Sequence, residues 1–225
     1  MKFDYEKFKD SIISALIGNN WNSYPEYTPE FIINKKGSKN VSMTIKKELE
    51  NNCEQFFFSV AFITTSSLNL LLSSLEVLKE KGIKGRIITA DYLKFNTPEI
   101  FEKLISLENI EVRRHVGGSF HPKGYIFEKK NDLYSVIVGS ANLTEEALQS
   151  NVEWNVKLNF NKEGSLLLDI KNEFEEQWNN SKPIDQEWIN EYRKQYKEVW
   201  NQISDKELLF NENYTASSLT RFGPN

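Results

Sequence analysis

A histidine and a lysine stand two residues apart in the run Phe120-His-Pro-Lys-Gly-Tyr-Ile-Phe, and His121 is one of only two histidines in the chain. Alternation from Tyr125 to Phe127 reads as a strand. Residues two apart on a strand share a face. His121 and Lys123 therefore project together, with Pro122 turned away. The apolar run Tyr134-Ser-Val-Ile-Val-Gly predicts a second strand, ended by the turn Gly139-Ser-Ala-Asn. Its continuation, Asn142-Leu-Thr-Glu-Glu, has the composition of a helix start, and Glu153-Trp154 opens the next apolar run. A nucleophilic imidazole, a cation, two polar side chains and backbone N–H groups at a helix start together suit a phosphate ester.

These residues resemble the phospholipase D superfamily signature, His-x-Lys followed by Gly-Ser-x-x-Asn or Gly-Ser-x-Asn. The resemblance is strongest to its single-motif bacterial nucleases and to nuclease-like domains joined to DEAD/DEAH-type helicases and restriction enzymes. His121, Lys123, Ser140, Asn142 and Glu153 fall on the family's active-site positions. Glu153 stands eleven residues after Asn142, in the Asn-x-Glu-Trp-Asn context of the nuclease branch. The motif spans about thirty-four residues, and a weaker architectural resemblance covers roughly 41 to 180. One position departs: the family's aspartate, five residues after the lysine, is Glu128 here, and no catalytic role is carried to it.

The resemblance implies a metal-independent phosphodiesterase or endonuclease that uses no cofactor and cleaves DNA, with RNA as the alternative polymer, through a phosphohistidine. His121 would be the nucleophile and Lys123 the fixed positive charge. Asn142 and Ser140 would donate to phosphate oxygens, with Lys123, Ser140 and Asn142 binding substrate. Glu153 would hold the imidazole in its reactive tautomer. One imidazole cannot conveniently both attack phosphorus and protonate the leaving oxygen on its far side. Two-motif relatives carry a second histidine in the same chain; this chain has a single motif, so a homodimer with two His121 rings near its axis is expected. The other histidine, His115, lies between Arg113-Arg114 and a Gly-Gly loop and reads as an ordinary loop histidine. A helicase-linked, restriction or phage-defence context is expected, with room for an attached C-terminal helicase or other module. The competing readings are a noncatalytic nucleic-acid-binding or dimerisation module and a phospholipid hydrolase.

Composition fits these expectations. Hydrophobic content of 39% and charged content of 27% over 225 residues suit a globular protein with one substantial core. The single cysteine, Cys53, rules out an internal disulfide and reads as a buried small residue. Two histidines and one cysteine cannot build a conventional zinc cluster. The absence of disulfides, of a signal-peptide pattern and of an apolar run of membrane-spanning length points to a cytoplasmic protein without a membrane partner. Net charge is −4, which weighs against nonspecific nucleic-acid binding by the whole surface. A local basic concentration is nevertheless expected from Lys84, Arg86, Arg113, Arg114, His115, Lys123, Lys129 and Lys130, unless these are ordinary solvated charges.

Along the chain, Tyr5–Leu16 has helical periodicity, and Lys35 to Asn40 is a polar turn cluster. A helix is expected from Val41 to Glu54, a buried strand from Phe56, and a helix capped by Ser66 or Ser67 that ends at Gly82. The strand Gly85–Thr89 follows, then a helix entered through Thr97-Pro98 and the strand Ile110–Arg113. Alternating strands and helices imply crossover units. The expected fold is α/β: a phospholipase D-like mixed, mainly parallel sheet between helical layers, with helical N- and C-terminal additions. The division is 1–40, an N-terminal extension; 41–180, the catalytic domain; 181–210, a C-terminal helical extension; and 211–225, a linker or tail. Pro183 divides the aromatic-rich tail, in which Trp188, Tyr192, Tyr196 and Trp200 mark one helix face. No GxGxxG or Walker A loop is present.

Overall fold

Phe56-Phe-Phe-Ser-Val forms the buried centre of the fold. The computed structural model describes residues 3–35, 39–91 and 94–199. Eight strands form one sheet: β1 Glu30–Ile32, β2 Cys53–Val60, β3 Lys84–Thr89, β4 Ile110–Arg114, β5 Lys123–Lys129, β6 Leu133–Gly139, β7 Asn155–Asn161 and β8 Lys182–Pro183. Their order is β1-β7-β6-β5-β2-β3-β4-β8. The helices are α1 Tyr5–Leu16, α2 Val41–Glu50, α3 Thr65–Glu80, α4 Pro98–Ile105, α5 Glu145–Gln149 and α6 Ser165–Asn179, followed by α7 over 186–199.

The mixed sheet flanked by helices agrees with the expectation; its predominantly parallel character does not. Only β2–β3 and β3–β4 are parallel, and α3 and α4 supply their crossovers. The other five pairings are antiparallel. The physical reason is a tight hairpin after β5, where Asn131 and Asp132 adopt φ of 68° and 59°. Asn and Asp tolerate this left-handed region better than other side chains, so β6 returns beside β5 with no crossover.

Strand alternation sends two sets of side chains to opposite faces. Phe57, Ile88, Ile126, Tyr134 and Val136 pack with Leu167, Phe174 and Trp178 of α6. On the other face, the Phe58 ring lies 5.0 Å from Phe56, 5.1 Å from Tyr125 and 5.7 Å from Phe127, and α2 lies against β2, β5 and α3. Gly85 is paired with Phe56 across the β2–β3 ladder. A Cβ there would stand 2.1 Å from the Phe56 ring, so the missing side chain is what lets the ring lie flat on β3.

Several boundaries differ from the sequence expectation. α2 stops at Glu50, because Asn52 turns the chain with φ 55° and β2 already begins at Cys53. Thr64, not Ser66 or Ser67, caps α3, and Ser67 completes a capping box. Thr97 caps α4 with proline in the first turn, as expected. The first forty residues contribute β1 to the sheet, so they are more than a peripheral extension. Burial pushes the Cys53 thiol up to about 12, consistent with a structural residue.

The chain divides into two compact units, Met1–Ile184 and Asp185–Asn225, so the boundary follows β8. In the second unit, Trp188 stacks on Tyr192 at 4.9 Å, and Tyr192 lies 6.1 Å from Tyr196. Trp200, the tail 211–225 and the centre of the turn cluster at 36–38 lie outside the described residues.

A buried ion ladder ties four elements together. Glu48 of α2 pairs with Lys129 of β5 and, at 3.3 Å, with Lys157 of β7. Lys157 also pairs with Glu30 of β1, which holds Lys39. The side chains of Glu48 and Lys157 are only 2% and 3% exposed. Burial pushes the Glu48 and Glu30 carboxyls up, but their lysine partners outweigh it and hold both below the ordinary value of 4.5. A depressed carboxyl contributes stability above its unfolded value and loses it as pH falls through the folded one. Urea unfolding should therefore show stability lost progressively below about pH 4.5. Glu48→Gln should cost about 3 kcal/mol near neutral pH, because two lysines lose a buried partner, and should flatten the acid limb.

Candidate active site

β5 begins at Lys123, and its pairing with β2 continues one residue earlier, where the Ala61 N–H donates to the Pro122 carbonyl at 3.2 Å. This extension fixes the backbone immediately after His121. The Lys123 ammonium stands 2.8 Å from His121 Nδ1 and 3.2 Å from Nε2, and donates to the His121 carbonyl at 2.9 Å. His121 is exposed, and its ring meets that of Phe62 edge-on at 5.7 Å. Partial burial pushes the Lys123 ammonium below its usual 10.5, against the opposing pull of the Glu153 carboxylate.

The turn 139–143 is held from both sides. Toward β7, the Ser140 N–H donates to the Trp154 carbonyl at 3.0 Å, and the Trp154 N–H donates back to Ser140 Oγ at 3.0 Å. Asn155 Oδ1 accepts from the Ala141 N–H at 3.2 Å. Toward β2, the Leu143 N–H donates to the Phe62 carbonyl at 3.1 Å, and the Thr64 N–H to the Leu143 carbonyl at 3.0 Å. From beneath, the Tyr125 hydroxyl donates to the Ala141 carbonyl at 2.9 Å. The close approach of β6 and β7 depends on Gly139, where a Cβ would stand 2.2 Å from the Trp154 carbonyl oxygen and 2.4 Å from Asn155 Oδ1.

Two expected partnerships are different in the structure. Glu153 accepts a hydrogen bond from the Ser140 hydroxyl, whereas the His121 ring nitrogens meet Lys123. A hydroxyl has one proton; fixed by Trp154 and donating to Glu153, Ser140 has none left for a phosphate oxygen in this state. The start of α5 is likewise occupied, because the Ala147 N–H donates to Thr144 Oγ1 at 3.4 Å and the helix is five residues long. Asn142 is half-buried, and its Oδ1 has no hydrogen-bond partner among the described residues.

Glu128 takes no part in this cluster. It lies opposite Tyr134 in the ladder, and its carboxylate adds to the burial that pushes the Tyr134 hydroxyl above its usual range. Five residues along β5 place it roughly 17 Å from Lys123, and odd spacing puts it on the other face. The expected basic concentration is also largely neutralised. Arg86 pairs with Glu175, and its guanidinium lies 4.7 Å from the Phe57 ring centre. Arg113 pairs with Glu111 at 2.9 Å and Arg114 with Asp91 at 3.7 Å, and Lys129 is in the ion ladder. The His115 ring stacks on Phe120 at 4.8 Å, with packing rather than chemistry as its visible role. Among the described residues, no group of three or more His, Cys, Asp or Glu could hold a metal ion, and no helix is long and apolar enough to cross a membrane.

Three positioning residues escaped the sequence reading: Phe62, Asn155 and Asn96. Buried Asn96 accepts from the Ile63 N–H at 2.8 Å and donates to the carbonyls of Ala61 at 3.0 Å and Ala90 at 2.6 Å. It fixes the segment that carries Phe62. Its place beside the obvious cap Thr97-Pro98 concealed that role, while Asn155 was visible only as part of a motif context. Gly139→Ala should force β6 and β7 apart at the turn. Thermal unfolding should show a loss of about 1–3 kcal/mol, and turnover should fall with it.

The family model for the cardiolipin synthase, PLD-like domain matches residues 45–178, more than half of the chain and including the whole cluster. No curated protein matches the sequence. Among solved structures, the chain is similar to NucT from Helicobacter pylori, with a TM-score of 0.56 and 16% identity over 70% of this chain and 99% of that one. It is similar to Nuc, a phospholipase D family member from Salmonella typhimurium, with a TM-score of 0.55 and 17% identity over 70% and 97% of the two chains. Phosphatidylserine synthase from Haemophilus influenzae shares the fold with a TM-score of 0.54 and 16% identity, over 80% of this chain and 46% of that one. With the His121–Lys123 pair and the Gly139–Asn142 turn brought to one end of the central strands β5 and β6 and the family model spanning both, the chain belongs to the PLD-like family of the phospholipase D superfamily.

Proposed function

We propose that this protein is a metal-independent phosphodiesterase, an endonuclease acting on DNA through a phosphohistidine intermediate. The observation that carries the reading is the exposed His121 ring held within hydrogen-bond distance of the Lys123 ammonium. His121 attacks phosphorus, forming an N–P bond as the P–O bond to the leaving alkoxide breaks; that alkoxide takes a proton from an acid. Water then attacks the phosphohistidine, and the N–P bond breaks to regenerate the ring. Lys123 neutralises charge on the non-bridging oxygens, and Asn142 offers its amide N–H groups. Glu153 acts on Ser140 in the free state, and exchange of either partner on substrate binding frees them for phosphate and imidazole.

The acid is the second imidazole of a symmetric homodimer. This rests on stoichiometry: the chain has one histidine at the motif position, and that ring is exposed. The likeness to Nuc and NucT favours a nucleic-acid substrate, and the Asn-x-Glu-Trp-Asn context favours a helicase-linked, restriction or defence setting. The fold shared with a phosphatidylserine synthase keeps a phospholipid headgroup as the second reading, with vesicle turnover as its test.

His121→Ala and Lys123→Ala should each abolish DNA cleavage while leaving the urea midpoint nearly unchanged, and Asn142→Ala should lose on the order of a hundredfold in kcat. Wild-type cleavage should persist in EDTA; retained activity in His121→Ala, or strict dependence on magnesium, would remove the mechanism. Because burial lowers the Lys123 ammonium, its charge is lost as pH rises through a value below 10.5. The alkaline limb of activity should therefore fall below that pH, and residual Lys123→Arg activity should extend beyond it. Mixing His121→Ala with wild type should give crippled heterodimers, whereas a fully active monomer at micromolar concentration in sedimentation would defeat the dimer.

A further inference from the structure

At the far end of β5 from Lys123, roughly 20 Å along the strand, the chain forms a cavity of about 480 Å³. That size lies within the range of small-molecule sites, about 300–1,000 Å³. Two left-handed turns shape its rim: Asn52 after α2 and Asn131 after β5 have φ of 55° and 68°. The Lys130 N–H ties them together by donating to the Asn52 carbonyl at 3.1 Å. A second wall is the segment around Phe3 and Tyr27, whose rings meet edge-on at 5.3 Å. There the Tyr27 hydroxyl accepts from the Asp4 N–H at 3.1 Å, and Asn159 of β7 donates to the Thr28 carbonyl at 3.2 Å. Both walls are thus fixed by contacts between distant parts of the chain.

The lining carries four lysines, Lys47, Lys129, Lys130 and Lys157, against two glutamates, Glu26 and Glu48. This surplus of positive charge stands in a chain of net charge −4. Glu48 is engaged by Lys129 and Lys157, and Lys157 also meets Glu30. Lys47 and Lys130 are exposed and have no ion-pair partner among the described residues. A recess lined by excess cations concentrates anions. Lysine binds phosphate as a point charge, and a phosphate monoester carries nearly two negative charges at neutral pH. The two rings and Leu133 give the same cavity an apolar wall, which suits a flat organic group beside the phosphate better than a bare anion. We infer that this cavity binds a phosphate monoester carried on a flat ring system, the chemistry of a nucleotide, with Lys47 and Lys130 holding the phosphate. The site is separate from His121 and does not rest on the phosphodiesterase reading.

The test uses the full chain carrying His121→Ala and Lys123→Ala, which removes the imidazole and the cation of the other site. Isothermal titration calorimetry would compare deoxyadenosine monophosphate, deoxyadenosine and inorganic phosphate. The nucleotide should bind about tenfold or more tightly than either fragment. Adding Lys47→Ala or Lys130→Ala should weaken it about tenfold and leave the urea midpoint nearly unchanged, because both side chains are exposed. Lys47→Arg and Lys130→Arg should keep most of the affinity. Absence of nucleotide binding, or binding that both alanine variants leave intact, would overturn the inference. Inorganic phosphate or deoxyadenosine binding as tightly as the nucleotide would overturn it too. A strand with a terminal phosphate separates the two sources of this chemistry: equal affinity would make the ligand a nucleic-acid end, and exclusion of the strand would make it a free nucleotide, the site being upheld in both cases. Cleavage by the wild-type chain is measured separately, so the phosphodiesterase reading stands or falls independently of this result.

Discussion

The antiparallel pairing of β5 with β2 is the contact on which the rest of this structure depends. It joins the parallel crossover half of the sheet to the hairpin half, and its register places Lys123 beside Val60. A slip of one residue would send Lys123 to the α6 face and bury the wrong set of side chains. The register is secured by size: Phe56, Phe58, Tyr125 and Phe127 fill one face, while Phe57 and Ile126 fill the other. Tyr125 extends this control beyond packing, because its buried hydroxyl reaches the Ala141 carbonyl. The central core and the site turn are thus held by one side chain.

The ion ladder extends the same logic toward the outer strands. Lys129 lies on the same face of β5 as Lys123, at the opposite end of the strand, and meets Glu48 under α2. Lys157 repeats this contact from β7 and passes it on to Glu30 at the sheet edge. Buried charges are costly without partners, so the set admits few alternative arrangements of α2 on β5 and β7. That constraint matters at the other end of β7, where Trp154 and Asn155 supply the contacts that shape the turn 139–142.

The site is organised chiefly by backbone and neutral groups. Asn155, Asn96 and Gly139 touch no proposed reacting atom, but they decide where the turn and the Phe62 segment lie. Prearranged dipoles of this kind need no reorganisation when charge develops. On the proposed mechanism, the one adjustable element is the Ser140–Glu153 hydrogen bond, and its exchange with substrate couples phosphate binding to the imidazole. Glu128, where the sequence departs from the family pattern, is remote from these groups and lies opposite Tyr134 in the β5–β6 ladder.

Local chemistry made much of this protein legible from its residues alone. The Thr97-Pro98 helix entrance, the α1 boundaries, the apolar strands and the spacing of His121, Lys123, Ser140 and Asn142 are short-range features, expressed by periodicity and capping within a few residues. Glycine at 139 was visible as a turn residue, but not as the means by which Trp154 and Asn155 come close. What only the tertiary structure decided involves partners distant in sequence: the antiparallel insertion of β5, the recruitment of β1, the neutralisation of Arg86 by Glu175, and the choice of Ser140 rather than His121 as the partner of Glu153. Such choices depend on which competing contacts can be satisfied at once around a single packed sheet, a question of three-dimensional geometry that residue type and spacing do not encode.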